Sequence, residues 1–341
     1  MRLINIVIWM SLDSSLRMIV ITWAAWFIGS CLISTLLARW DKEIIAVDDF
    51  TKLEKENNRW RNEQVTCVAR DNLFVRLDQT TIFPELIIHM GARTDTSEFD
   101  EDIFDRLNLG YSKKLWHRCT THQVPFIYAS SAATYGAEEK NFADHEDQMP
   151  RLKPLNPYGR SKQLFDIRVL GQQKTPPFRV WLKFFNVYGP NEYHKGRMAS
   201  VIFHSYNKIK QTGKMSLFRS HREDVSDGQQ SRDFIYIKDL LDVLVYFGEQ
   251  KNNPKINGIY NLGTGKARSF YDLTCAVFHA LDLEPKIDYI DTPLDIRDTY
   301  QYFTQAEMDK LIACGYDKPF TTLEDGVTDY VRNYLSSGRY F

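Results

Sequence analysis

Met18-Ile-Val-Ile-Thr22-Trp23-Ala-Ala-Trp26-Phe-Ile-Gly29-Ser30 opens an apolar run that reaches Ala38 without a charged residue, between Arg17 and Arg39. Taken alone, a run of that length reads as a membrane-spanning helix or signal anchor. The next residues point elsewhere. Ile44-Ile-Ala-Val-Asp48-Asp49 has the pattern of a second short buried strand ending in acidic residues. A strand, tight turn, helix and second strand produce the same apolar run inside a buried βαβ unit, and this reading is preferred.

The pattern continues outward. Candidate strands at 18–22, 44–48, 86–89, 125–130 and 179–185 alternate with candidate helices at 28–39, 101–121 and 157–171. Such alternation predicts an α/β fold, a Rossmann-type doubly wound parallel sheet with a smaller C-terminal lobe. Residues 138–156 are polar and contain proline, and read as a loop. Residues 18–186 form the first domain, joined by a return segment at about 232–262, in which Ser231-Arg-Asp-Phe-Ile-Tyr-Ile237 reads as a strand ahead of a helix. Residues 187–231 and 263–341 form the smaller lobe, with a polar stretch at 219–232 suited to a ligand loop. Residues 1–17 match nothing in this organisation and read as an extension or a start-site error.

Composition narrows the function. Hydrophobic content of 43% and charged content of 26% are those of a soluble domain, and 341 residues suffice for a large core. A net charge of −1 offers no general attraction for nucleic acid or anionic membrane. Cys31, Cys67, Cys119, Cys275 and Cys314 are scattered and odd in number, which disfavours a metal site or disulfide framework and fits a reducing cytoplasm.

Two stretches carry chemistry. The first contains Tyr128-Ala-Ser-Ser131-Ala-Ala-Thr134-Tyr135-Gly136 and then Tyr158-Gly-Arg-Ser-Lys162; the second contains Lys183-Phe-Phe-Asn186-Val-Tyr-Gly189-Pro190 and then His194-Lys195-Gly. Tyr158 and Lys162 lie four apart on a predicted helix and share a face, so the ammonium is expected to lower the phenol pKa. Ser131, at a strand end, is placed to hold the substrate oxygen whose proton the phenolate takes. A Tyr-x-x-x-Lys pair alone is as easily a solvated helix face, so its context decides.

With Ser-Ser-Ala-Ala-Thr-Tyr-Gly, Phe-Phe-Asn-Val-Tyr-Gly-Pro and Arg-Asp-Phe-Ile-Tyr-Ile beside it, the chain resembles the extended short-chain dehydrogenase/reductase family of nucleotide-sugar epimerases and dehydratases. His194-Lys195-Gly, the Met-Ala-Ser-Val run and His204 narrow the resemblance to the ADP-L-glycero-D-manno-heptose 6-epimerases of lipopolysaccharide biosynthesis. It extends from about Met18 to Leu335. The resemblance implies a homo-oligomeric isomerase that binds NADP or NAD and inverts the 6″ carbon of an ADP-linked heptose by transient oxidation and re-reduction. Tyr158, Ser131 and Lys162 would form one acid/base group, and Lys195 a second on the opposite sugar face. Phe27, Ile28, Gly29, Asp48, Asp49, Lys55, Met90, Gly91, Ala92, Asn108, Lys162 and Val187 fall at cofactor positions. Asn186, Arg197, His204, Phe218, Arg219, Ser220, His221, Arg232 and Tyr300 fall at substrate positions, with Arg232 suited to a phosphate. Arg197 stands where some relatives carry serine. Asp49 tilts the cofactor toward NAD, although Lys52 or Lys55 suits a 2′-phosphate. The dehydratases place an Asp-Glu pair after the catalytic hydroxyl; here Ala132-Ala133 stands instead.

One departure is sharp. The family runs from its first strand into Thr-Gly-x-x-Gly-Phe-Ile-Gly-Ser, whereas this chain reads Thr22-Trp23-Ala-Ala-Trp26-Phe-Ile-Gly29-Ser30. The first two glycines make the turn and let backbone approach a pyrophosphate. Three explanations stand open: a silent nucleotide-sugar-binding protein, an enzyme with an unusual cofactor pose, or glycine codons rendered as tryptophan. Trp40 and Trp181 also stand where relatives often have a small residue.

Overall fold

The computed structural model describes residues 18–50, 58, 60, 62–91, 93–96, 98–138, 140, 142–297 and 300–341. Residues 1–17, Lys52, Lys55 and Ala92, on which expectations fell, lie outside the described residues. The opening run divides as a βα unit. β1 is Met18–Thr22, a five-residue strand of mostly β-branched side chains, and α1 is Phe27–Arg39. The membrane alternative is thereby corrected: the apolar run is two elements, and no described helix is long and apolar enough to cross a membrane.

β2 (Glu43–Asp48), β3 (Val65–Ala69), α2 (Leu73–Gln79) and β4 (Leu86–His89) follow. A continuous helical stretch comes next: α3 (Glu101–Phe104), a π-helical segment Asp105–Gly110 and α4 (Tyr111–Thr121). β5 (Phe126–Ser131), α5 (Pro157–Leu170), β6 (Arg179–Phe184) and β7 (Asn186–Tyr188) complete the first half. Beyond them lie α6 (Val201–Thr212), β8 (Met215–Phe218), β9 (Ser231–Tyr236), α7 (Ile237–Glu249), β10 (Gly258–Leu262), β11 (Ala267–Ser269) and α8 (Phe270–Ala280). β12 (Ile287–Ile290), α9 (Leu294–Arg297), α10 (Asp309–Ala313) and α11 (Leu323–Asp329) follow.

Seven strands form one sheet in the order β10-β6-β5-β4-β1-β2-β3, every neighbouring pair parallel. Its central strands are buried on both faces, which is why they read as unbroken apolar runs rather than alternating ones. Chain order reverses between β1 and β4, and open α/β sheets bind ligands in the crevice outside the strand C-termini at such a reversal. The strand expected at Ser231 exists but pairs with β7 and β11 in a separate three-stranded sheet. β8 and β12 form a two-stranded parallel ribbon.

Candidate active site

β5 delivers Ser131 to the C-terminal edge of the large sheet. The chain then tightens into a short 3-10 turn over Ala132–Tyr135, and the Ser131 hydroxyl accepts the Ala133 N–H at 3.1 Å. α5 starts sharply because Asn156 caps it, its side-chain oxygen accepting the Gly159 N–H at 2.8 Å, with Pro157 in the first helical position. Gly159 lets the helix press onto the Ser131 turn: a Cβ there would lie 2.6 Å from the Ala133 carbonyl oxygen. Tyr158 is thereby brought to Ser131, and Lys162 lies one helical turn further along α5.

Burial raises the Tyr158 pKa above that of an ordinary phenol; the Ser131 hydroxyl opposes the shift and the Asp166 charge adds to it. Lys162 is held by backbone carbonyls. Its ammonium donates to the Gly91 carbonyl at 2.9 Å and the Ala129 carbonyl at 2.6 Å, and lies 4.5 Å over the Tyr128 ring. Burial lowers its pKa to about 7, with Asp166 pulling the other way. This ammonium ties the Gly91 turn after β4 to Ala129 of β5.

A depressed lysine pKa fixes a sign. Between about pH 7 and the ordinary lysine value the unfolded chain holds a proton that the folded one has released. Stability relative to Lys162→Met is thus expected to rise with pH through that window. Urea unfolding at several pH values would check this, and a flat or falling difference would remove it.

Asn108 sits in the π-helical segment, a geometry that recurs at functional sites. Its side chain accepts the Arg93 N–H at 2.7 Å and donates to the Arg93 carbonyl and, at 3.0 Å, to the Ser161 hydroxyl beside Lys162. Behind this group lies a pair that the sequence reading did not single out. Asp166 and Lys183 are wholly buried 3.2 Å apart; Ser130 donates to the same carboxylate oxygen at 2.7 Å, and Lys183 donates to Thr134 at 2.5 Å. An acid on α5 and a lysine in an apolar strand were the only signals available.

Lys195 comes to rest against the start of α1. Its ammonium lies 4.7 Å over the Phe27 ring, at the start of α1, and 3.7 Å from the buried Glu192 carboxylate. Burial lowers its pKa and Glu192 opposes the shift. Glu192, also missed from sequence, accepts from both the backbone and the hydroxyl of Ser200. Among the described residues no hydrogen bond or ion pair joins Lys195 to Ser131, Tyr158 or Lys162. Arg197 is exposed and pairs with Asp95 at 3.2 Å, and His204 is exposed beside the Arg197 carbonyl.

Arg232 is buried on β9, above the rings of Phe270 and Tyr300, each 5.6 Å away. Its guanidinium donates to the carbonyls of Ser231 and Gln301, and Gln301 in turn donates to Gly136 near the Ser131 turn. No carboxylate pairs with it among the described residues. The neighbouring Asp233 points to the other strand face, where it accepts N–H groups from Thr264, Gly265 and Ala306. The two are therefore no local ion pair. Phe218 meets Tyr300 edge-on at 6.1 Å, Arg219 pairs with Asp291, Ser220 donates to the Arg222 carbonyl, and the His221 N–H donates to Tyr302. Asn186 is exposed and Val187 half-buried on β7.

The expected dinucleotide crevice lies at the reversal between β1 and β4. Asp48, at the end of β2, is buried and accepts the Ala25 N–H at 2.9 Å and the Asp49 N–H at 2.6 Å, so it holds the β1–α1 turn. Gly29 keeps its packing role: a Cβ there would lie 2.2 Å from the Trp23 carbonyl oxygen. Met90 and Gly91 follow β4, with Phe27 and Ile28 opening α1. The floor differs. Trp23 has φ +52°, and its indole rests on Gly91, where an added Cβ would be 2.1 Å from Cε3. The same ring meets His89 and Tyr111 edge-on at 5.6 and 5.3 Å. Trp26, the residue before α1, packs edge-on against His194 at 4.4 Å.

A family model for the NAD-dependent epimerase/dehydratase family matches residues 19–263. The chain belongs to that family. It is 43% identical to ADP-L-glycero-D-manno-heptose-6-epimerase of Fusobacterium nucleatum subsp. nucleatum, over 94% of this chain and 98% of that protein. Against the enzyme of the same name from Nitratidesulfovibrio vulgaris strain DP4 it is 46% identical, with the same coverage. The crystal structure of Helicobacter pylori ADP-L-glycero-D-manno-heptose-6-epimerase superposes with a TM-score of 0.77 at 25% identity, over 93% of this chain and 96% of that one. NAD is the cofactor of the epimerase/dehydratase family. Asp48 and the Gly91 turn stand at the walls of the crevice where the sequence expects a dinucleotide. The floor carrying Trp23 does not suit one, because a bulky residue stands where the family's glycine lets backbone approach a pyrophosphate, its indole packed on Gly91.

Proposed function

We propose that this chain is an isomerase that inverts the 6″ carbon of an ADP-linked glycero-manno-heptose, for synthesis of a lipopolysaccharide core precursor. The observation that carries the reading is the convergence of Ser131, Tyr158 and Lys162 at the sheet's C-terminal edge, in a chain so similar over its length to heptose epimerases. The chain's own contribution is proton handling and positioning. Tyr158 exchanges the proton of the substrate hydroxyl, Ser131 orients that hydroxyl, and Lys195 serves as the second proton group. Arg232, a buried cation whose hydrogen-bond partners are carbonyls, takes the diphosphate; Asn186, Arg197, His204, Tyr300 and the Phe218–His221 segment line the sugar and nucleotide. A cytoplasmic homo-oligomer belongs to the same reading, and five free cysteines are in keeping with that compartment.

The test is conversion of ADP-D-glycero-D-manno-heptose to its 6″ epimer, followed by NMR, with Trp23→Gly/Trp26→Gly protein and added NAD or NADP. Unchanged substrate, with cofactor shown to be bound, would end the assignment. In that background Arg232→Ala is expected to raise KM about 10- to 100-fold with a smaller change in kcat, since one charge-assisted contact is lost. Arg232→Lys should recover only part, because a lysine lacks the bidentate fork. The Trp23 indole favours a second reading, a nucleotide-sugar-binding protein without turnover. ADP-heptose would then stabilise the protein against heat without being converted.

A further inference from the structure

Residue 23 holds a backbone conformation that its side chain does not suit. A φ of +52° lies in the left-handed region, which glycine enters freely and bulky residues rarely. The other described non-glycine residues with positive φ are Gln123, Asn191 and Asp282; two of these types tolerate that region through short polar side chains. An aromatic residue there is the outlier. The tight turn is otherwise intact: the Trp26 N–H donates to the Trp23 carbonyl at 3.2 Å, and Gly29 packs against that same carbonyl. The backbone is that of a glycine turn, and the indole is added to it.

The indole also lands where the site needs space. It presses on Gly91, whose carbonyl takes a hydrogen bond from Lys162, so one side chain both fills the crevice and abuts the support of the Tyr158 group. A second tryptophan shows a misfit of its own. Trp181 is buried in β6, and its indole N–H has no hydrogen-bond partner among the described residues, an unusual state for a buried tryptophan. Trp26 and Trp40 show none in their backbone: φ of −83° and −126° suits any residue, so position 26 is tied to position 23 by the glycine turn they share.

We propose that position 23, and with it position 26, is glycine in the polypeptide made by the source cell, and that tryptophan there closes the dinucleotide crevice. Drift in a silenced enzyme would be expected to scatter many residue types over the site. Here Ser131, Tyr158, Lys162, Asp48 and Asn108 all stand, and the departures from the glycine turn are both tryptophan. Tryptophan and glycine triplets differ at one base, and UGA is read as either residue in variant genetic codes. One misassigned triplet explains both positions.

Two measurements test this. Peptide mapping by mass spectrometry of the protein from its source cells, across residues 18–39, is expected to find glycine at 23 and 26; tryptophan at 23 overturns the proposal. Equilibrium titration with NAD and NADP is expected to give at least about 100-fold tighter binding to Trp23→Gly/Trp26→Gly protein than to the chain with both tryptophans, the affinity ratio corresponding to about 2.7 kcal/mol. Equal affinities overturn it. Unfolding provides a control for the fold: Trp23→Gly is expected to lower the denaturation midpoint less than loss of a core tryptophan, because relief of the φ +52° strain offsets part of the packing lost against His89 and Tyr111. Trp116→Gly, which removes a ring packed against Phe126 and Phe165, is expected to lower it. A fall for Trp23→Gly as large as for Trp116→Gly would show a side chain the fold relies on. The inference rests on the family's need for a dinucleotide and not on the sugar. A glycine-bearing protein that binds NAD but leaves ADP-heptose unchanged would refute the proposed function and leave this inference standing.

Discussion

Tyr158→Phe, made in protein carrying Trp23→Gly/Trp26→Gly, is expected to lower kcat by about 10²- to 10⁴-fold, the range for loss of a positioned acid/base. KM should change little, because the ring and its packing remain. The expectation follows from what surrounds the hydroxyl. Ser131 is fixed by the Ala133 N–H, and Gly159 brings the first turn of α5 against that turn. Replacing the hydroxyl by hydrogen removes only the proton carrier. The parent should show a rate that climbs with pH as the phenol, held above its ordinary pKa by burial, gives up its proton. The variant's residual rate should lack that limb. Stopped-time NMR of product at several pH values measures both. A variant retaining more than about a tenth of the parent rate would place the proton transfer on another group.

Burial decides which elements were legible in the sequence. β1, β4, β5 and β6 were readable because strands covered on both faces leave uninterrupted apolar runs. β3 and α2 escaped because β3 is an edge strand whose side chains are mostly exposed, so its pattern is blurred. The Tyr158 and Lys162 pairing was visible from helical spacing alone, but where the ammonium points was not. That depends on the Gly91 and Ala129 carbonyls, which are far away in the chain. Lys195 shows the same limit. The resemblance implied only a side of the sugar for it, and the fold alone puts it over Phe27 and close to Glu192. Glu192 and Asp166 were unreadable for a simple reason: an acid in sequence looks solvated until its partners are known.

The Asp166–Lys183 pair is expected to give the largest stability effect. Neither side chain reaches solvent, so each charge has been taken from water and is held by the other, with Ser130 and Thr134 donating or accepting at the rim. Burial pushes the Asp166 carboxyl up and the Lys183 ammonium down, and their mutual attraction opposes both shifts. Removing one member of such a pair typically destabilises by about 3–5 kcal/mol. Lys183→Met should therefore lower unfolding free energy by that amount at neutral pH, leaving a carboxylate whose second oxygen already has no hydrogen-bond partner among the described residues. The loss should shrink in acid. With its cation gone, Asp166 has a folded pKa further above its unfolded value, so protonation favours the fold below that pKa and the benefit is lost as pH rises through it. Asp166→Leu combined with Lys183→Met should be more stable than either single variant, since neither member of the pair is then left charged without the other, the remaining cost being Lys162's lost attraction to Asp166. Urea unfolding of the three variants, with the slope checked for two-state behaviour, measures all of this. A Lys183→Met protein within about 1 kcal/mol of the parent at neutral pH would mean that the buried pair is already neutral, a proton having passed from lysine to aspartate.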